Sequence, residues 1–205
     1  MRNLTVNRLI KEGVPVNKSL PAITIKKVRT SKEVGVRINI LGVFLAISED
    51  PKSIKFFKKL LKEQGMFDFL TTTEKLILES EKITKQQEID LSWNQESIYA
   101  LSWCLGITPK MPLPTVESDL YSIFKYLPPE VDLEKFLDKC NLIDNQSILE
   151  ELEYYYGLHW AIRHPETWSF SKASKFKISI IRERRKAMEW VVDSSLLWDD
   201  IPLDT

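Results

Sequence analysis

A chain of 205 residues, 43% hydrophobic and 28% charged, is long and apolar enough to bury a sizeable core, which excludes the disordered and fibrous classes. Two cysteines exclude a disulfide framework and two histidines a multi-histidine metal site. No apolar run approaches the roughly 20 residues of a membrane helix.

The 29 basic and 29 acidic residues cancel overall but not locally: residues 1–64 hold 14 Lys and Arg against 5 Asp and Glu, and the remainder reverses the excess. Such asymmetry marks either a nucleic-acid or membrane contact or two parts of one fold that attract each other. The neutral total favours the second, and nucleic acid is not an expected partner. The first residues lack a signal-peptide core, so a cytoplasmic chain with reduced Cys104 and Cys140 is expected.

In chain order, the apolar residues recur mainly at helical spacing. A short helix over Leu4–Glu12 stops at Gly13, and Val14–Val28, with two prolines, reads as extended or irregular. Thr30 and Glu33 form a capping box for a helix with two apolar stripes, Val34/Ile38/Leu41/Leu45 and Ile40/Phe44/Ile47, which places it centrally. Asp50-Pro51 opens the next helix and Gly65 closes it. Its face Lys52/Lys55/Lys59/Lys62 reads as solvated. Thr72 or Thr73 starts a short helix through Leu78, and Thr84 with Gln87 caps one running to near Gly106.

The proline-rich stretch within 107–116 is the candidate boundary inside an otherwise single helical domain. Beyond it the spacing predicts helices over Glu117–Tyr126, Leu133–Cys140 behind Asp132, Gln146–His164 behind Asn145, and Lys172–Val192 behind Ser171. The fold class is therefore all-α, with at most a minor hairpin, and the tail is expected to dock through Trp198, Ile201 and Leu203. Its acids, Asp199, Asp200 and Asp204, are the weaker candidate for a hard-cation site.

No phosphate-cradling glycine loop, nucleophile elbow or zincin motif is present, and no cofactor is implied. The informative residues are polar ones lying on apolar stripes, because burying them unpaired costs several kcal/mol. His159 and Arg163 fall on apolar rows of one helix, Glu183 and Arg184 on those of the last, and Glu96 between Trp93 and Trp103. Two readings stay open. Arg163 pairs with Glu183 between packed helices while His159 is a satisfied core residue. Alternatively, His159, Arg163, Glu183 and Glu96 line a pocket walled by Trp160, Trp190 and Trp103.

Three stretches at these residues carry a family resemblance: Trp93-Asn-Gln-Glu96 with Ala100-Leu-Ser-Trp103-Cys-Leu-Gly106; Ile148-Leu149 with His159-Trp-Ala-Ile-Arg163; and Glu183-Arg-Arg-Lys-Ala-Met-Glu-Trp190 with Trp198-Asp-Asp200 and Asp204-Thr205. Glu33 and Arg37, four apart, add a fourth. The chain resembles a bacterial family catalogued as domain of unknown function 4272. That resemblance implies a helical cytosolic domain and no particular reaction. The leading functional expectation is a non-catalytic module that binds an unknown protein or a small anionic ligand. The alternative is an enzyme on a small anionic substrate, with Arg163 as anion clamp and His159 as base. Oligomeric state is not encoded in any pattern seen.

Overall fold

A computed structural model describes residues 2–80, 82–168 and 174–204. Its helices are α1 (Asn3–Lys11), α2 (Ser31–Glu49), α3 (Ile54–Glu63), α4 (Thr72–Glu79), α5 (Lys85–Ser92), α6 (Asn94–Cys104), α7 (Tyr121–Phe124), α8 (Leu133–Lys139), α9 (Asn145–Arg163) and α10 (Ile178–Val192). No strand occurs among the described residues, and the fold is all-α.

The two stripes of α2 explain its position. Val34, Ile38 and Leu41 enter the larger apolar cluster with α6, α9 and α10. Ile40, Phe44 and Ile47 enter a smaller one beneath α3 and α4, with Ile54, Leu61 and Ile77. A helix that must bury both sides sits between the two cores, and its start is set by the Thr30–Glu33 capping box. Gly35 lets α8 approach the backbone, since a Cβ there would meet Leu137 Cδ2 at 2.8 Å and Cys140 Sγ at 2.9 Å.

Three expected elements differ. The helix expected over 84–106 breaks at Trp93, because α5 lies on the surface with no buried residue while α6 passes through the core. The Glu117–Tyr126 helix shrinks to α7, because Ser118 is held in non-helical conformation by Glu96. The last helix starts at Ile178, not Lys172: the Lys177 N–H donates to Pro114 O (2.9 Å) and the Phe176 ring stacks on Trp168. The Ser171 cap expected there lies outside the described residues. Two caps fall one residue early, Thr71 for α4 and Asp144 for α9.

The charge asymmetry is used internally. Basic residues of the first 64 meet acids of the remainder: Arg2 with Glu153, Arg8 with Glu151, Lys26 with Asp193, Lys32 with Asp138, Arg37 with Glu74 and Lys58 with Glu79. Lys52, Lys55, Lys59 and Lys62 are exposed, as a solvated face should be. Residues 26–29 run beside the end of α10, with Lys26 N–H to Val192 O and Arg29 N–H to Val191 O. The chain after α10 returns along the body, burying Trp198 and Ile201.

Candidate functional site

Glu96 and Arg184 are both fully buried and form the polar centre of the core. The Arg184 Nε–H donates to Glu96 Oε2 at 2.8 Å. Its Nη1 donates to Tyr155 Oη (2.8 Å) and Pro112 O (2.5 Å), and its Nη2 to Ser118 Oγ (2.9 Å). Glu96 also accepts from the Ser118 N–H and hydroxyl. Burial opposes the guanidinium charge, but Tyr155 and Glu96 outweigh it and raise the Arg184 pKa. One arginine thus ties α6, α9 and α10 to the proline-rich connection, which is stitched to the body at Pro112.

His159 is 1% exposed and its Nδ1 lies 2.8 Å from Arg185 Nη1, so the ring nitrogen accepts. Burial, then the charges of Arg185, Arg182 and Arg163, push its pKa down to about 4. Arg185 also reaches Glu189 and Asp204 O.

The remaining expected site residues lie apart. Arg163 is the last residue of α9 and is exposed. Glu183 points instead at α6 and accepts from Ser97 Oγ at 3.0 Å; burial raises its pKa. The Arg163–Glu183 bridge therefore does not form. Trp160 stacks on His164 (4.6 Å), and Trp103 packs at the edge of the larger core. Arg163→Ala is accordingly expected to change stability by less than about 0.5 kcal/mol in urea denaturation. A loss above about 2 kcal/mol would contradict this placement.

Trp190, of those seven residues, lines a cleft of about 700 Å³. Three segments build it: 29–40, which leads into α2; 68–73, which leads into α4; and 190–200, which covers the end of α10 and the chain after it. Arg29 stacks over the Trp190 ring at 3.9 Å and donates to Trp190 O (3.0 Å), Leu196 O (2.5 Å) and Glu33 (3.3 Å). Trp198 meets Trp190 edge-on at 5.4 Å. Arg37, two turns into α2 and 3% exposed, pairs through Nη2 with Glu74 and lies 4.9 Å from the Trp198 ring. Its buried Nε–H has no acceptor among the described residues. Burial lowers the pKa of both arginines, only partly offset by their carboxylate partners.

At α4, Thr71 and Glu74 form a capping box, and the Thr73 N–H donates to Asp199 Oδ2 at 3.2 Å. A helix N-terminus favours negative charge, and the chain's own Asp199 supplies it. Asp68 and Asp200 are exposed residues of the same lining.

Sequence reasoning passed over Arg29, Glu74 and Thr71–Thr73 as site residues. Arg37 was visible only through its spacing from Glu33, and Trp198-Asp199-Asp200 only as a tail anchor. Among the described residues no three His, Cys, Asp or Glu side chains could hold a metal ion, and no helix is long and apolar enough to cross a membrane. Both cysteines are buried and free.

A family model described as "Domain of unknown function (DUF4272)" matches residues 2–201, and the chain belongs to that family. No curated protein and no solved structure matches it.

Proposed function

We propose that the chain is a non-catalytic binding module whose ligand, a small anionic molecule, occupies the tryptophan-walled cleft. The observation that carries this reading is Arg37, a buried guanidinium in the cleft wall with an N–H that lacks an acceptor. A buried donor left unsatisfied costs about 1–3 kcal/mol, so an incoming carboxylate or phosphate oxygen has something to gain there. Arg29 stands on a neighbouring wall, turned to Trp190 O, Leu196 O and Glu33, and the Thr73 N–H of the first turn of α4 is a donor that Asp199 now holds. In this arrangement Asp199 holds the position a ligand carboxylate would take.

Calorimetric titration with phosphate, acetate and small dicarboxylates tests the reading. One of these classes should bind the wild-type chain, and Arg29→Gln should weaken it about tenfold, the loss of one charge-assisted contact of about 1.4 kcal/mol. Equal binding to both proteins, or no binding to either, sinks the proposal and leaves a protein partner as the better reading. The catalytic alternative draws no support from the geometry: His159 is sealed against Arg185, Arg163 is exposed and Glu183 faces Ser97.

A further inference from the structure

A second cavity, of about 790 Å³, lies between α2, α3 and the segment from α7 to the start of α8, on residues separate from those of the tryptophan cleft. Its walls are mostly aliphatic and aromatic, among them Val43, Leu60, Ile98, Phe124 and Val131. The volume lies in the range of small-molecule sites, roughly 300–1,000 Å³.

Gly42 sets the character of this groove. A glycine inside a helix is unfavourable relative to alanine, so it calls for a local reason. Gly35, on the same helix, has one: α8 packs directly on it. Gly42 has no such neighbour, for a Cβ there would meet nothing within 4 Å, and its φ is not positive. Neither backbone conformation nor close packing accounts for the missing side chain. Its effect is to leave the floor of the groove open.

The rim sets the charge of the occupant. Glu49, Glu130 and Asp132 line the groove against one cation, Lys125. None of the three acids takes part in an ion pair among the described residues. We infer that the groove binds a single-chain amphiphile, its aliphatic chain lying over Gly42 and its cationic ammonium head at the carboxylate rim. The inference does not depend on the tryptophan cleft and survives its failure.

The test uses the whole chain and a matched set of probes below their micelle concentrations: decyl- and dodecylammonium, dodecanol and dodecanoate, followed by calorimetry. Dodecylammonium should bind one to one and more tightly than dodecanoate. Shortening to decylammonium should weaken binding by up to about fourfold per methylene, the equivalent of 0.8 kcal/mol each. Gly42→Leu fills open space, so it should melt at or above the wild-type temperature while weakening dodecylammonium by more than tenfold, or 1.4 kcal/mol. Gly42→Ala, a smaller change, should fold normally and weaken binding less. Dodecanoate binding as tightly as the amine, or Gly42→Leu binding like wild type, overturns the proposal. So does a chain that ignores every amphiphile and sediments as a dimer that Gly42→Leu dissociates, which would make the groove a self-interface.

Discussion

Replacing Arg184 with methionine is expected to lower the free energy of unfolding by about 3–5 kcal/mol, the range for removing one partner of a buried ion pair. Methionine fills much of the space, so the loss is chiefly electrostatic. Glu96, with no exposed surface, keeps Ser118 as a partner but loses its counter-charge. Tyr155 Oη loses its donor at the same moment, and Pro112 O is left with only the longer bond from the Tyr155 hydroxyl (3.4 Å). The connection after α6 is then held by the Ser118–Glu96 and Lys177–Pro114 bonds without the arginine, so the urea midpoint should fall and limited proteolysis around Pro112 should be faster. Adding Glu96→Leu should recover part of the loss, since the double variant no longer buries a lone charge. A single variant within about 1 kcal/mol of wild type would show that this cluster does not hold the helices together.

The second large effect is a fall in stability as pH drops from 6.5 toward 4. The folded-state pKa of His159 lies below its ordinary value, because burial and then the charges of Arg185, Arg182 and Arg163 disfavour the imidazolium. The unfolded chain therefore takes up this proton first. The stability contributed by neutral His159 is complete above 6.5 and is lost as pH falls through that window. A drop from 6.5 to about 4 corresponds to about 3 kcal/mol. Glu151, Glu183 and Glu189 act with the opposite sign: burial raises their folded pKa, so each favours folding as it protonates. The comparison with His159→Gln isolates the histidine, because glutamine keeps an acceptor for Arg185 but does not titrate. The variant should lose markedly less stability between pH 6.5 and 4 than wild type. Identical pH profiles for the two proteins would remove His159 from the account.

Local signals read well wherever one residue type does one job. Thr30 with Glu33, the stripes of α2 and the stop at Gly65 are short-range chemistry, and each appears where its spacing put it. Polar residues on apolar rows were a partial guide to burial: Glu96, His159 and Arg184 are buried, whereas Glu183 is half-buried and Arg163 is exposed. Partner choice was not legible, because the rotation of one helix against another decides it. A single step along α10 turns a side chain by about 100°. Glu183 therefore faces Ser97 on α6, while Arg185 faces His159 on α9. The helix expected over Glu117–Tyr126 was lost for a similar reason, as Glu96 draws Ser118 out of helical geometry from 22 residues away. The cleft joins residues from positions 29 to 200, so no window of sequence contains it.

The cleft also supplies the most direct test of the central claim, the affinity of Asp199→Asn for the anion that binds the wild-type chain best. Asparagine keeps an oxygen for the Thr73 N–H but removes the charge that stands in the ligand's place. A carboxylate at a helix N-terminus is worth about 0.3–1 kcal/mol, so calorimetry should show binding about two- to fivefold tighter in the variant. Unchanged or weaker binding would mean that the anion does not compete with Asp199 and that the tryptophan cleft is not its site.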